Sequence, residues 1–319
     1  MRSRSTSEQI VGTIALPLEL LSCYRRSMSS EVVPIGAMLR ELRQRHGMTQ
    51  LALATHADVS AKHLSFIETG RSQPSRDMLM HLAESLQLPL RERNMLLNAG
   101  GFALAYSERP LADPALAVVR QAIEVVLEGH KPFPAFAVDR HWTLVASNGG
   151  LTPFLANINI DAALLRPPVN VLRLTLAPQG MGPHVANYRQ WRSHVLDKLH
   201  AQIVRNGDAE LAELHRELKE YPEPAATRGG NGSLSSPSWH SLVVPFQLAT
   251  ESGTLSFYST TTIFGTPMEI TLSEISIESF YPADAMTRDA FLGIGKDMAS
   301  ESTPQRRGLA AGRSSSVQT

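Results

Sequence analysis

The residues that could do chemistry fall into two groups, and the titratable ones are weighed first. His194, Asp197 and His200 stand three residues apart. On a helix the outer two point about 120° apart, too spread for one metal ion. His130, His141, His215 and His240 show no ligand spacing, and Glu210, Glu213, Glu217 and Glu220 read as the solvated face of a helix. The one cysteine, Cys23, excludes a disulfide framework and an all-cysteine metal site. There is no G-x-S-x-G elbow, no H-E-x-x-H and no P-loop, and Gly293-Ile-Gly295-Lys296 is too short for a phosphate cradle. A Ser–His–Asp triad can converge from anywhere in a chain, so counting does not exclude one. The chain is nevertheless read as no enzyme, with no cofactor and no bound metal expected.

The second group is basic, hydroxylic and aromatic: Ser60, Ala61, Lys62, His63, Ser65 and Phe66, then Arg71 and Arg76. A run of short helices must position them. Ile35, Leu39 and Leu42 line a first helix that Gly47 ends. Thr49 caps a second, with Leu53, Ala54 and Ala57 inward. Asp58 occupies the turn, where a left-handed conformation suits it, and Val59 plugs the core beneath. Ser60 caps a third helix with Leu64 and Ile67 inside, and Gly70 stops it. Pro74-Ser75 starts a fourth, with Leu79, Leu82, Ala83 and Leu86 inward, and Arg91–Ala99 makes a fifth.

Leu39-Arg40-x-Leu42-Arg43, Thr49-Gln50, Leu53-Ala54, Val59-Ser60 and Ile67-Glu68-x-Gly70-Arg71 with Pro74 resemble the Xre/Cro-type helix-turn-helix family. Asp58 departs from the glycine frequent there. The resemblance implies an all-α, lambda-repressor-like five-helix domain bound to double-stranded DNA. In that geometry the third helix enters the major groove with its N-terminal residues on base edges. Gln50 matches the family's phosphate-contacting position and Arg71 its backbone clamp, with Arg76 a weaker candidate. Lys62 can donate to guanine acceptors or to phosphate, and Ala61 and Phe66 can touch a thymine methyl. Phe66 can equally pack on the fold, and both readings stay open.

Residues 106–133 read as a connector plus one helix, and from Pro134 to Pro282 the pattern is mixed. Leu116, Val119, Ile123 and Val126 or Leu127 share one helix face. Ala135–Val138 and Trp142–Ala146 flank Asp139-Arg140 as a hairpin. Residues 184–205 and 211–221 read as helices, Pro222–Ser238 as a mobile loop. Ser241–Leu248, Thr254–Phe264 and Met268–Phe280 read as strands, the last with a bulge at Ser273-Glu274. The hairpin looks like the opening of a PAS-like α+β fold with an antiparallel sheet. Asn170-Val-Leu-Arg-Leu174, Trp191 and Leu255–Pro267, behind an Xre-type domain, resemble the MmyB-like transcription regulators. That resemblance implies a one-component regulator whose second domain accepts an apolar molecule such as a fatty acid. Candidate apolar ligand contacts are Phe136, Trp142, Phe154, Tyr188, Trp191, Val195, Phe257 and Ile263, and candidate polar ones are His184, Arg189, Arg192 and Thr261. Such stripes more often form core than pocket.

Length and charge complete the expectation. The 319 residues fit two domains, read here as 34–105 and 106–285, after an extension at 1–33 and before a tail at 286–319 that loses order near 300. The extension has Met28 as a candidate true start. No apolar run reaches the roughly 18 residues of a membrane span, and a cytoplasmic location is expected. Thirty basic residues balance thirty acidic ones, yet residues 34–105 hold 8 basic and 6 acidic groups and residues 106–300 hold 15 and 20. A mildly basic reader is therefore joined to an acidic partner domain. The reading is a homodimeric regulator on an inverted-repeat operator, controlled by a small apolar ligand. Its alternatives are a second domain that binds a partner protein and no small molecule, and a DNA-binding enzyme.

Overall fold

Five helices open the structure, a computed structural model that describes residues 33–152, 155, 158–225, 243–251, 253–265 and 267–301, without the side chains of 151 and 294–301. Cys23, Met28, Phe154, His240 and most of Pro222–Ser238 lie outside the described residues. The helices are α1 (Ile35–Arg45), α2 (Gln50–His56), α3 (Ala61–Glu68), α4 (Arg76–Ser85) and α5 (Leu90–Ala99). Three begin where a hydroxyl can cap them. Thr49 Oγ1 accepts from the Ala52 N–H at 3.0 Å, Ser60 Oγ from His63 at 3.0 Å and Ser75 Oγ from Met78 at 3.2 Å. Asp58 takes φ 49° in the α2–α3 turn, and Gly47 and Gly70 take φ 66° and 71° after α1 and α3. Leu39, Leu53, Leu64, Leu79 and Leu82 form a fully buried centre. One close approach carries no period in the sequence. A Cβ on Gly36 would lie 2.4 Å from the Ile67 carbonyl oxygen, so α1 crosses α3 backbone against backbone.

The rest is α+β. Helix α6 (Ala117–Glu128) precedes a hairpin of β1 (Ala135–Val138) and β2 (Leu144–Ser147). Then come α7 (Val171–Leu176), α8 (Tyr188–Asn206), α9 (Ala209–Glu220), β3 (Phe246–Thr250), β4 (Gly253–Ile263), a helical turn α10 (Ile270–Ser273), β5 (Ser276–Pro282) and α11 (Ala285–Glu301). The five strands form one sheet in the order β2-β1-β5-β4-β3, antiparallel throughout. Alternation along the strands gives the sheet two apolar faces. Ala135, Ala137 and Ile277 pack on Ile123 and Leu127 of α6. Val138, Phe246, Leu248 and Phe257 pack on the opposite side with α7, α8 and α9.

The structure departs from the sequence expectation at several element boundaries. Met268–Phe280 is not one bulged strand. Glu269 accepts from the Leu272 N–H at 2.9 Å and caps the turn α10, and β5 starts only at Ser276. The apolar spacing 268, 270, 272 fits a strand, but the cap and the helical turn take precedence and leave Met268 exposed. The second hairpin strand begins at Leu144 rather than Trp142, because Trp142 sits in the left-handed region at φ 65° and closes the turn onto Asp139. The long helix begins at Tyr188, after a separate short turn at Gly182–His184. Helix α11 occupies the start of the expected tail and places Phe291 in the core.

Candidate nucleic-acid interface and ligand cavity

The first candidate surface is the outer side of α3. Ser60, Lys62, Arg71 and Arg76 are exposed, and Ala61, His63, Ser65 and Phe66 are half-buried. Two cations stand over the Phe66 ring, Lys62 Nζ at 5.6 Å and the Arg71 guanidinium at 5.9 Å from its centre. Behind this surface Glu68 joins three helices. It accepts from Arg43 Nε and Nη2 at 2.6 and 2.8 Å, and from Gln50 Nε2 at 2.8 Å. Arg43 also donates to the Met48 carbonyl at 2.7 Å. Burial alone would raise the Glu68 carboxyl, but the hydrogen bonds from Arg43 and Gln50 outweigh it and hold it below the ordinary value. Gln50, at the amide end of α2, is thus fixed by a buried ion pair.

The second is a cavity of about 2260 Å³ between the sheet and its helices. It wraps round the β2 edge, from Phe136, Trp191 and Val195 on the helical face to Ile123 and Leu127 under α6. Its wall is mainly apolar but carries charged groups, and one polar cluster stands on the helical face beside Trp142. Lys198 Nζ lies 2.9 Å from Glu278 Oε1 and 3.0 Å from Thr261 Oγ1, and the Thr261 hydroxyl is 2.7 Å from the same carboxylate. The Lys198 ammonium also stands 4.8 Å above the Trp142 ring, whose Nε1–H donates to Gln202 at 3.0 Å. Burial, then the neighbouring Lys198 charge, holds the His194 imidazole below its ordinary pKa.

Of the residues singled out as ligand contacts, Phe136, Trp142, Trp191 and Val195 line this cavity together. Tyr188 and Phe257 are fully buried in the core, and the Tyr188 hydroxyl donates to the Leu176 carbonyl at 3.0 Å. Arg192 donates to the Lys219 carbonyl at 2.6 Å and closes the end of α9. Arg189 pairs on the surface with Glu223 at 2.9 Å. His184 sits half-buried in the Gly182–His184 turn, and Ile263 is 69 % exposed. Thr261 touches the polar cluster from β4. Lys198, Glu278, Phe246 and Phe280 also line the cavity and were missed. Lys198 continues the stripe of Trp191 and Val195 by one helical step. Glu278 was legible as a lone charge in an apolar strand, 4 % exposed.

No helix among the described residues is long and apolar enough to cross a membrane, and no group of three or more His, Cys, Asp and Glu among them could hold a metal ion. The profile of a helix-turn-helix domain family matches residues 34–96. Transcriptional regulator ClgR of Mycobacterium tuberculosis, from two strains, is 37% identical over 75 residues, which is 24% of this chain and 64% of that protein. The chain therefore spans less than two thirds of those relatives' length. A solved structure of an RNA-binding Light-Oxygen-Voltage receptor covers 89% of this chain and 68% of its own at 11% identity, with a TM-score of 0.21, too low to bear on the fold. The helix-turn-helix profile and the ClgR relatives point to a DNA-binding regulator rather than an enzyme. The profile of the MmyB-like transcription regulator ligand binding domain runs from 119 to 292, over the sheet, its helices and the cavity, and the chain belongs to that family.

Proposed function

We propose that this protein is a DNA-binding transcription regulator that reads an operator through α3 and answers to a small apolar ligand held in the cavity. The observation that carries it is the pairing of an exposed, cation-bearing α3 surface with a large, partly open and mainly apolar cavity in the same chain. Ser60, Ala61, Lys62, His63, Ser65 and Phe66 would face base edges, with Gln50, Arg71 and Arg76 on phosphates. Phe136, Trp142, Trp191 and Val195 would bound the ligand, which the family resemblance points to as fatty-acid-like. One recognition helix reads only a few base pairs, so the working form is a homodimer on an inverted repeat in the cytoplasm.

The test has two halves. Lys62→Ala is expected to weaken operator binding by about 1–3 kcal/mol in a salt-controlled gel shift. Unchanged affinity would remove Lys62 from the readout. Native mass spectrometry of the purified full chain should retain a lipid-sized adduct. A co-purifying protein without any adduct would favour a partner-binding second domain instead.

A further inference from the structure

The helical head and the sheet region meet along a seam built of charges. Arg91 of α5 donates to Glu274 from Nε and Nη2 at 2.6 and 2.9 Å, and to Glu108 from Nη1 and Nη2 at 2.9 and 2.6 Å. Glu274 lies between α10 and β5. Arg140, in the hairpin turn, stands 3.9 Å from Glu274 and 4.0 Å from Asp208. The connector is stitched to the same segment. The Ile270 N–H donates to the Ser107 carbonyl at 2.9 Å, the Arg109 N–H to Glu269 at 2.9 Å, and the Thr271 hydroxyl to the Arg109 carbonyl at 2.6 Å. At its other end the head touches the sheet region again, where Arg45 of α1 packs against Gly207 at the end of α8.

Two features give this seam a role. The first is its chemistry. The head and the sheet region keep separate apolar clusters, and the seam between them is held by charge-assisted hydrogen bonds, so it can part without opening either core. The second is its place. Arg91, Glu108, Arg140 and Glu274 belong to the wall of the cavity, and Glu278 and Phe280, further along β5, line it too. A molecule filling the cavity therefore touches both the strand and the residue that leads into it. Helix α3 makes none of the seam contacts, so the seam sets how α3 is aimed rather than covering it.

We propose that Glu274 is a positioning residue for DNA recognition: through Arg91 it couples filling of the cavity to the orientation of the head. Two heads on one operator must present their α3 helices at a fixed spacing. A seam held in one ligand state and released in the other changes that spacing and hence the affinity. The proposal rests on the regulator reading above.

The test uses the full chain with Glu274→Gln, Glu274→Asp as the conservative variant, and Arg216→Gln on the outer face of α9 as a control. The DNA is a duplex selected from a random library by the wild type, and the probe is decanoic acid. Hydrogen exchange needs no ligand. Glu274→Gln should speed amide exchange about tenfold over residues 90–99 and 269–275 while leaving 50–68 unchanged. Decanoic acid should shift the wild-type operator affinity about fivefold or more. With decanoic acid raised until it saturates each variant, Glu274→Gln should lose that shift, Glu274→Asp should regain much of it, and the control should match the wild type. Unaltered exchange, or a full shift in Glu274→Gln, overturns the proposal and leaves the regulator reading intact. Failure of decanoic acid to bind the wild type, or to shift its affinity, overturns the ligand reading and the coupling with it.

Discussion

Glu68 answers three donors from two other helices with one carboxylate, and its side chain is only 1% exposed. Arg43 opposite is 7% exposed. Such a pair is weak evidence for stability while intact, because its attraction mainly offsets desolvation. It becomes expensive when one partner is removed, since the other charge is left in the interior. Glu68→Ala is therefore expected to destabilise the helical head by about 3–5 kcal/mol, read from urea unfolding followed on the N-terminal helices. A cost under about 1 kcal/mol would mean that water reaches Arg43 and that the pair does not organise the head. The same substitution frees Gln50, so operator affinity should fall as well. Lys62 and Arg71, both over the Phe66 ring, are held by a different device that does not depend on Glu68. The residue types at 43, 50 and 68 were legible as part of a family pattern, but that they meet on one carboxylate follows from the way α1 crosses α3 at Gly36.

Among the elements, α9 shows most directly how a helix terminus ties distant segments together. Its N-cap, Asp208, accepts from the Glu210 and Leu211 N–H groups, and its other oxygen takes His141 Nε2 at 3.0 Å from the hairpin turn. The His141 hydrogen bond, opposed by burial, holds the Asp208 carboxyl down at about 2. A carboxyl with a depressed native pKa stabilises the fold above its unfolded pKa and stops doing so as pH falls through the native one. The contribution of Asp208 should thus be complete above about pH 4 and fade towards about pH 2. Asp208→Asn keeps an oxygen for the cap but not the charge, and should cost about 1 kcal/mol at pH 7. The gap in melting temperature between variant and wild type should then close across that acid window. A gap that stays constant from pH 5 to pH 2.5 would show that the charge contributes nothing. The elements were largely legible in sequence because caps and period agree, as at Thr49, Ser60 and Ser75. Where they disagree, as between the strand-like spacing of 268–272 and the Glu269 cap, the period misled. Cavity wall and core were not separable by pattern. Trp191 and Tyr188 share the α8 stripe, yet Trp191 lines the cavity and Tyr188 is sealed behind it with its hydroxyl on Leu176.

Over the whole molecule, the even charge balance conceals a division that the structure sharpens further. The head holds 8 basic residues, but Arg43, Arg45, Arg91 and Arg93 stand within 4.0 Å of carboxylates. Among the described residues that leaves Arg40, Lys62, Arg71 and Arg76 of the head without an ion pair within that distance. Each phosphate neutralised contributes a slope of about 0.9 in log affinity against log salt. Non-specific binding by one head should therefore show a slope no steeper than about 4, and a dissociation constant weaker than about 1 µM at 0.15 M salt. The acidic excess of residues 106–300 lowers it further, since that region rides on the head through the Arg91 seam and repels the same phosphates. On the proposed reading tight binding comes from base contacts and from joining two heads, so the operator complex should lose far more affinity on dilution than on a modest rise in salt. Titrations of the full chain against a random duplex and against the selected operator, at three salt concentrations, measure both quantities. A steep slope with submicromolar affinity for the random duplex would mean that bulk charge dominates and that the four unpaired cations are not the whole of the DNA-facing surface.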